Sequence, residues 1–334
     1  MASVQAALAA FGLDLIGSPI PVVGSVRNEN YRAETSAGPI FVRIHRPNRT
    51  WERLRREHRV IHWAAAQRLP VHPPLRDDQG ETLLEVEGRI VALFPWLPGR
   101  SLERGAVTPE QAAAMGDMHG RLHATLARYD DPELPSFAHV MPSENPDADL
   151  RDCHARLSEV DLTATDRTII VEYLDRHLAL LEAERGRPPL QPTLVGTQPI
   201  HGDYHERNIL VDEAGRITAV VDWDMVRTLP RALEVARTIT FSLFLGETPL
   251  VEPYLAAYGE HVTLAPEECE EAVALWWEYV LRDTWLARTR IIDRDPLVQP
   301  FFAESIEHHF RYLADPAFRV WLAGEFGRWA GPRR

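Results

Sequence analysis

The chain has 334 residues, a length that favours two packed units because single hydrophobic cores stop growing near ~250–300 residues. Its 45% hydrophobic and 25% charged residues are typical of a folded protein, no apolar run approaches the ~18 residues of a membrane span, and a net charge of −13 argues against a nucleic-acid partner. All 36 Lys and Arg residues are arginines, which excludes mechanisms that need a lysine, such as a P-loop, a pyridoxal phosphate Schiff base or a serine/lysine hydrolase.

The N-terminal part of the chain is predicted to contain a small antiparallel sheet and one main helix. Apolar residues at helical spacing predict a short helix at 3–11, which Gly12 ends, and a longer one at 49–68. The predicted strands are short extended segments bounded by turn residues, and they span 20–26, 29–36, 39–45, 83–86 and 89–94. We therefore expect an antiparallel arm with a helix packed beside it.

The remainder of the chain is predicted to be mainly helical. The rigid, turn-rich segment 95–101 places a boundary near residue 97. The helices predicted beyond it share a 3.6-residue apolar period and span 109–128, 165–184, 230–245, 265–290 and 297–315. One hairpin interrupts them, with strands at 208–211 and 217–222 on either side of a turn.

The segment 200–211 carries the strongest functional signal. Within it Asp203 and Asn208 have the five-residue separation of the kinase catalytic loop H-x-D-x-x-x-x-N, whose first position is His201 here. Asp222 follows a short hairpin, at the place where a kinase has its metal-binding aspartate. This ordered pattern between apolar strand ends predicts phosphoryl transfer.

Phosphoryl transfer asks a protein mainly for orientation and charge neutralisation. We predict that Asp203 holds the acceptor hydroxyl and takes its proton. Asn208 and Asp222 are hard oxygen donors suited to Mg²⁺, and we predict that they hold this ion on a nucleoside triphosphate. His201 is predicted to support catalysis by bracing the loop through a hydrogen bond. Asp224 is either a further carboxylate of the metal site or a solvated side chain.

A pair of charged residues in the N-terminal part is predicted to contact the nucleotide. Arg43 lies mid-strand at the position of the kinase β3 lysine, and Glu57 lies on the inward face of the following helix. We predict that the two form an ion pair and that Arg43 reaches the α- and β-phosphates, because guanidinium binds phosphate bidentately. The alternative is a surface arginine and an unrelated glutamate.

Two further segments complete the predicted nucleotide site. Residues 23–31 link two predicted strands and are expected to cover the phosphates, with Ser25 and Asn30 among the contacts, although the segment has one glycine only. Phe94 and Trp96 lie in the segment that would form the hinge, whose backbone would receive the adenine.

With these motifs, nearly the whole chain resembles the aminoglycoside phosphotransferase and choline kinase superfamily, including its homoserine kinase-like and stress response kinase-like branches. The resemblance implies an α+β, bilobal, protein-kinase-like fold with a small antiparallel sheet lobe and a mostly helical lobe. It implies a nucleotide-binding lobe at 1–96 and a catalytic, acceptor-binding lobe at 97–334. It also implies ATP or GTP as co-substrate, Mg²⁺ as cofactor, and a hydroxyl acceptor.

The departures from the protein-kinase pattern favour a small acceptor such as an aminoglycoside, amino alcohol, sugar or homoserine-like molecule. Gly202 replaces the arginine of H-R-D, and few residues separate Asp222 from the helix near Pro230, so there is little room for an activation segment. Two alternatives stay open. One is a protein Ser/Thr kinase, and the other is a nucleotide-binding regulatory module without turnover, which Arg43 and the glycine-poor lid would suit.

Three other features are predicted to have no role in catalysis or binding. The aromatic residues of 273–290 are predicted to pack in a core rather than to form a cage for a cation. His119 and His123 are predicted to be a helix-surface pair rather than metal ligands. Cys153 and Cys269 are expected to be buried thiols without a role.

We also expect a cytoplasmic protein with few partners. The N-terminal segment has neither the basic flank nor the long apolar run of a signal peptide. The predicted partners are the nucleotide and a small hydroxylated acceptor, with no nucleic acid and no membrane. The sequence leaves a monomer and a dimer equally open.

Overall fold

We describe the fold from a computed structural model. The structure describes residues 2–22, 28–47, 49–136, 142–188, 190–243 and 250–332. Contacts divide the chain into two compact units, of which the first joins Met1–Leu102 to Arg207–Val226 and the second joins Glu103–Glu206 to Arg227–Arg334. The functional division into a nucleotide-binding lobe at 1–96 and a catalytic lobe at 97–334 remains a prediction.

The first unit is built on a five-stranded antiparallel sheet. Its strands are β1 (Leu15–Pro21), β2 (Asn28–Thr35), β3 (Gly38–His45), β4 (Leu84–Val86) and β5 (Arg89–Pro95). They lie in the order β1-β2-β3-β5-β4. Glu87 and Gly88 both have positive φ, 51° and 75°, which is the backbone of a two-residue type I′ hairpin turn. The structure thus confirms the strands predicted at 83–86 and 89–94, which pair as a hairpin.

Two helices flank this sheet, and each packs on its own apolar cluster. Helix α1 (Ala2–Ala10) buries Val4 and Leu8 against the face that carries Val42. Helix α2 (Trp51–Ala66) begins at Thr50, whose hydroxyl accepts a hydrogen bond from the amide of Arg53, and buries Leu54 in a second cluster. Both predicted helices of this region are confirmed.

A small second sheet in the same unit carries the hairpin that sequence predicted. It consists of β6 (Arg100–Ser101), β8 (Ile209–Val211) and β9 (Ile217–Val220), in the order β6-β8-β9. The turn between the last two strands is closed by Asp212, whose carboxylate accepts from the amides of Ala214 and Arg216.

The second unit is mostly helical. Its two strands, β7 (Thr197–Ile200) and β10 (Arg227–Pro230), pair antiparallel. Its α-helices are α3 (Pro109–Leu126), α4 (Pro146–Ala155), α5 (Ala164–Ala183), α6 (Arg231–Thr238), α7 (Val251–Gly259), α8 (Pro266–Arg282), α9 (Trp285–Ile291), α10 (Pro300–Ser305) and α11 (Pro316–Trp329). Two π-helical segments follow α6 and α10, at Ile239–Leu243 and Ile306–Leu313. Among the described residues no helix is both long and apolar enough to cross a bilayer.

The helix predicted at 265–290 is two helices in the structure. It breaks at Asp283, whose backbone is extended (ψ 96°) and whose carboxylate accepts from the amide of Trp285 in the first turn of α9. A short polar side chain that caps the following turn is a recognised way to end one helix and begin another. Helices α4, α7 and α11 were not predicted.

Helices α3 and α7 pack closely because two glycines of α3 face the backbone of α7. A Cβ atom placed on Gly116 would lie 2.0 Å from the carbonyl oxygen of Tyr254, and one on Gly120 would lie 2.8 Å from that of Tyr258. No side chain fits at either position without moving one of the helices.

We predict that Gly116→Ala destabilises the protein by about 1–3 kcal/mol or more, because overpacking at the α3–α7 contact outweighs the helix propensity that alanine gains. The matched control is Gly324→Ala in α11, where a Cβ meets nothing within 4 Å, and which should stabilise by about 0.5–1 kcal/mol. Denaturant unfolding measures both. Equal effects of the two substitutions would contradict the close α3–α7 packing.

Candidate active site

The loop after β7 passes from the helical unit into the sheet unit, so the predicted catalytic residues fall in both. Asp203 belongs to the helical unit, whereas Asn208 and Asp222 belong to the sheet unit.

In the helical unit, the Asp203 carboxylate lies between two basic side chains. The guanidinium of Arg237, on α6, donates a hydrogen bond to Oδ1. The imidazole Nε2 of His205 lies 3.5 Å from Oδ2. About a fifth of the Asp203 side chain, 21%, is exposed. The carboxylate is thus oriented by neighbours yet open to a ligand, as a proton acceptor must be.

His201 contacts the backbone of the same loop. Its side chain is fully buried, and the amide of Asp203 donates to its Nδ1 at 3.2 Å. This is the kind of contact that we predicted for a residue that braces the loop. Gly202, between the two, has a φ of 85°, a left-handed conformation that glycine adopts without strain.

Glu206 ends the loop in a buried ion pair. Its carboxylate accepts from Nε of Arg104 at 2.7 Å, and the same guanidinium donates to Glu304 at 2.5 Å and lies 4.1 Å from the centre of the Phe241 ring. Burial would raise the pKa of Glu206, but the charges of His205 and Arg104 outweigh it and lower that pKa. Glu206 is therefore ionised near neutral pH.

In the sheet unit, the β8–β9 hairpin brings the two predicted metal ligands to its open end. The amide of Val221 donates to the carbonyl oxygen of Asn208 at 2.9 Å, one step beyond the pair Ile209–Val220. Asp222 follows directly, with a φ of 64° that is rare for a residue other than glycine. Such backbone strain is concentrated at functional sites, and here it turns the chain at the predicted ligand.

Arg43 contacts Asp222. Its NH1 donates to Oδ1 of Asp222 at 3.1 Å, while 36% of the aspartate side chain stays exposed. The guanidinium lies near the rings of Phe41 and Phe94, at 5.5 and 5.9 Å from their centres. Burial would lower the pKa of Arg43, but Asp222 and Glu57 raise it above its ordinary value, so it keeps its charge.

Glu57 is fully buried on α2 without the predicted ion pair. Within the described residues no contact short enough for an ion pair joins it to Arg43, which pairs with Asp222 instead. Burial, assisted by the charge of Asp224, raises the pKa of Glu57 to about 8 despite the nearby Arg43. Glu57 is therefore mainly a neutral acid at pH 7, and its Oε2 has no hydrogen-bond partner among the described residues.

Asp224 is not a solvated carboxylate. It is 3% exposed and forms an ion pair with Arg49, while its backbone oxygen accepts from Arg49 at 3.3 Å and from Arg53 at 3.1 Å. The solvated alternative is thus wrong. Arg49 precedes α2 and Arg53 lies in its first turn, so Asp224 anchors the segment after Asp222 to that helix.

The remaining predicted nucleotide contacts are placed as follows. Asn30 lies opposite Arg43 in the β2–β3 register, buried, with its Oδ1 unpartnered among the described residues. Phe94 and Trp96 are half-buried at the end of β5. The amide of Trp96 already donates to the carbonyl of Pro39, so other backbone groups of this segment would have to bind an adenine. Ser25 lies outside the described residues.

The tryptophans of α8 are core residues, as predicted, whereas Trp285 of α9, in the same predicted segment, is 40% exposed, so the prediction was wrong for that residue. Trp276 is 5% exposed and donates its indole N–H to Thr240 at 2.7 Å, and Trp277 is 1% exposed and donates to Glu184 at 3.0 Å. The predicted burial of the two cysteines is also confirmed.

The expectation for the histidine pair of α3 was wrong. His119 and His123 are both fully buried, and Glu234 of α6 lies against them, so that the possible ligand atoms of all three lie within 4.8 Å of one another. Sequence reasoning missed Glu234, and it missed Arg237 one turn further on. The one signal available was the i, i+4 spacing of the histidines.

Comparison with known proteins identifies phosphotransferases as relatives of this chain. Residues 19–274 match the profile of the phosphotransferase enzyme family. A homoserine kinase of Caulobacter sp. (strain K31) is 25% identical over 258 residues, which are 74% of this chain and 73% of that protein.

Two solved structures show a similar fold. A spectinomycin phosphotransferase in complex with ADP and spectinomycin has a TM-score of 0.62 at 15% identity, over 96% of each chain. An amicoumacin kinase in complex with AMP-PNP and Ca²⁺ has a TM-score of 0.58 at 12% identity, over 91% of this chain and 92% of that one. The predicted α+β fold class, with an antiparallel sheet and a mostly helical remainder, is thereby confirmed.

The raised pKa of Glu57 predicts a pH-dependent contribution to stability. The folded protein binds a proton at Glu57 that the unfolded chain releases above about 4.5, so this contribution is complete at low pH and is lost as the pH rises through about 8. Glu57→Gln cannot ionise. Its stability relative to the wild type should therefore rise between pH 5 and pH 9, by on the order of a few kcal/mol.

Unfolding of the ligand-free protein in denaturant at several pH values measures this difference. Glu85→Gln, at an exposed glutamate of β4, is the control and should follow the wild-type pH profile. Parallel profiles for Glu57→Gln and the wild type would contradict a neutral Glu57.

Proposed function

The chain belongs to the phosphotransferase enzyme family, as an enzyme with an alcohol group as acceptor, and we propose that it transfers the γ-phosphoryl group of ATP or GTP to a hydroxyl of a small molecule. The observation that carries the proposal is the open end of the β8–β9 hairpin, where the backbone hydrogen bond between Asn208 and Val221 brings Asn208 next to the residue that precedes Asp222. Asp203, five positions before Asn208, supplies the carboxylate that faces the acceptor.

The donor set fits a hard divalent cation. Mg²⁺ prefers a few oxygen ligands from protein together with phosphate oxygens and water, which matches Asn208 and Asp222. Asp222 pairs with one cationic group, the guanidinium of Arg43, and the part of its side chain that stays exposed supports its proposed role as a ligand. Bound there, Mg²⁺ would neutralise charge on the triphosphate and hold it for in-line transfer.

The residues of the chain then divide the work. Asp203 accepts a hydrogen bond from the acceptor hydroxyl and takes its proton as the oxygen bonds to the γ-phosphorus. The bond from that phosphorus to the β–γ bridging oxygen breaks, and the nucleoside diphosphate leaves. His201 holds the loop through the Asp203 amide, and Arg43, which keeps its charge, contacts the phosphates.

A small acceptor is favoured over a protein. Only the residues 223–230 separate Asp222 from α6, and four of these form β10, so no long segment is available to bind a polypeptide. The homoserine kinase relative and the similar fold solved with spectinomycin make homoserine-like molecules, amino alcohols, aminoglycosides and sugars the first acceptors to test.

Asp203→Asn removes the proposed proton acceptor and keeps the shape of the side chain. We predict that kcat falls by ~10²–10⁴-fold with little change in KM for the nucleotide, because a general base acts on the transition state. Mg²⁺-dependent release of nucleoside diphosphate, measured over a panel of hydroxylated acceptors, is the assay. Asp161→Asn, at an exposed aspartate of the same unit, should keep the wild-type rate, and a full rate in Asp203→Asn would overturn the role.

Nucleotide binding should depend on the hairpin rather than on Asp203. We predict that ATP raises the melting temperature of the wild type and of Asp203→Asn when Mg²⁺ is present, and much less in EDTA, because a ligand stabilises the state that binds it. Asp222→Asn should lose most of the Mg²⁺-dependent part, whereas Glu213→Gln in the turn of the same hairpin should keep it.

Two outcomes of that experiment would count against the proposal. If Asp222→Asn kept the full Mg²⁺-dependent rise in melting temperature, the metal would not be bound at the hairpin. Binding of ATP by the wild type without transfer to any acceptor would select the nucleotide-binding regulatory module instead.

A further inference from the structure

Two arginines lie against one phenyl ring beside the proposed proton acceptor. The guanidinium carbon of Arg104 lies 4.1 Å from the centre of the Phe241 ring, and that of Arg237 lies 5.0 Å from it. Arg237 also donates a hydrogen bond to the Asp203 carboxylate. All four residues belong to the helical unit, so the two guanidinium groups and the proposed base share one site.

Each of the two guanidinium groups has one buried nitrogen without a hydrogen-bond partner among the described residues. Nε and Nη1 of Arg104 donate to Glu206 and Glu304, and its Nη2 is left over. Nη2 of Arg237 donates to Asp203, and its Nη1 is left over. A buried N–H of a charged group is costly without an acceptor, so both nitrogens favour a ligand that offers oxygen atoms.

A ligand that reaches Asp203 also reaches this site. The side chains of Asp203 and Arg237 are each 21% exposed, and the ring of Phe241 is half-buried. The side chain of Arg104 is 8% exposed and is held from behind by its two glutamates. The site therefore offers one guanidinium group near its surface and a second one beneath it.

The backbone around the site is unusual. Phe241 lies in the π-helical segment Ile239–Leu243, four residues after Arg237, and His309 lies in the π-helical segment Ile306–Leu313. The two aromatic rings are 5.6 Å apart, so the two segments meet here. Turns of π-helix are rare and occur frequently at functional sites, which supports a ligand site at this point.

A carboxylate is the group that fits the two nitrogens best. It is planar, and guanidinium N–H groups bind its oxygens through strong, charge-assisted hydrogen bonds. Three carboxylates, of Asp203, Glu206 and Glu304, already lie around the two guanidinium groups. A dianionic phosphate would therefore be repelled more strongly than a carboxylate with its single charge.

The same charges bear on the rest of the acceptor. Glu304 is 24% exposed, so an ammonium group on a molecule that also carries a carboxylate is compatible with the site. An aminoglycoside has positive charges only and offers no anion to the spare guanidinium nitrogens. Because Arg237 binds Asp203 directly, the hydroxyl and the carboxylate of the acceptor must lie only a few bonds apart.

We propose that the acceptor is a small hydroxylated carboxylic acid, whose carboxylate binds to Arg237 and Arg104 while its hydroxyl meets Asp203. This inference rests on the proposed phosphotransferase function and narrows its acceptor. Homoserine and glycerate belong to the class, whereas amino alcohols, neutral sugars and aminoglycosides do not. Arg237 and Arg104 are specificity-determining residues in this account.

The test compares pairs of acceptors that differ by one carboxylate. Replacing the carboxylate of L-homoserine by hydrogen gives 3-aminopropan-1-ol, and the same change in glycerate gives ethylene glycol. Both members of a pair present a hydroxyl to the same base, so the ratio of their kcat/KM values cancels any effect of a substitution on Asp203. Mg²⁺-dependent release of nucleoside diphosphate gives each value.

We expect the wild type to favour the carboxylate member of a pair by ~10²-fold, and Arg237→Gln to lower this preference by ~10–10²-fold, because a hydrogen bond between charged groups is lost. Arg104→Lys keeps a positive charge beside its glutamates but lacks the spare nitrogen, so it should lower the preference ~10-fold. It also serves if Arg237→Gln does not fold. Arg185→Gln, at an exposed arginine after α5, should keep the wild-type preference.

Three outcomes would overturn the proposal. The first is an equal kcat/KM for both members of each pair in the wild type. The second is a preference that Arg237→Gln and Arg104→Lys both leave unchanged. The third is a kcat that falls equally for both members in Arg237→Gln with their ratio kept, because Arg237 would then act on Asp203 or on the transferred phosphoryl group.

A binding experiment separates this inference from the proposed function. L-2-aminobutyrate is homoserine without its hydroxyl, and its amide has the same shape without the negative charge. We expect the acid at millimolar concentration to raise the melting temperature of the wild type more than the amide does, and Arg237→Gln to lose this difference.

The two failures are then distinguishable. If the acid stabilises the wild type as expected while no acceptor is phosphorylated, the carboxylate site stands and the phosphotransferase function fails. If neutral hydroxyl compounds are phosphorylated while the acid and the amide have equal effects on the melting temperature, the carboxylate site is rejected and the phosphotransferase function stands.

Discussion

The hydrogen bond from the amide of Val221 to the carbonyl of Asn208 is the contact on which the proposed chemistry depends most. It extends the β8–β9 pairing by one step and fixes where the strands diverge. A one-residue slip in an antiparallel pair moves every side chain to the opposite face. The proposed binding of one cation by Asn208 and Asp222 therefore depends on the register that this bond sets.

Charge neutralisation around the hairpin follows from that register. Asp222 and Asp224 leave β9 two positions apart, and each is met by an arginine, Arg43 and Arg49 respectively. A buried carboxylate without such a partner would be costly. Glu57, which has no arginine of its own, avoids this cost by keeping its proton, as its raised pKa indicates. The carboxylate of Asp222 thus stays partly exposed at the proposed metal site.

In the helical unit, several contacts hold the short loop around Asp203 in place while the Asp203 carboxylate stays partly exposed. Glu234 binds the loop backbone, Arg237 binds the Asp203 carboxylate, and α3 and α7 support Glu234 from behind. The contacts between α3 and α7 in turn require glycine at 116 and 120. Positions far from the loop in sequence are therefore constrained by its geometry.

Much of this could be predicted from local patterns, because strand alternation, helix period and turn residues act over a few positions. The Glu87–Gly88 turn, α2 and the β8–β9 hairpin are examples. The partners of buried charges could not be predicted in the same way. Asp224 pairs with Arg49, 175 positions away in sequence, and Glu234 contacts His123, 111 positions away. Because the local sequence around a carboxylate does not contain such a partner, it does not tell whether the carboxylate is buried or solvated.

The most direct test of the central claim is a crystal structure of the protein with Mg²⁺ and a non-hydrolysable ATP analogue. We expect an oxygen of Asn208 and one of Asp222 at about 2.0–2.1 Å from a metal ion that also binds the phosphates, with the Asp203 carboxylate turned toward the γ-phosphate. A nucleotide bound with its metal held by other residues, or with Asp203 directed away from the γ-phosphate, would contradict the account.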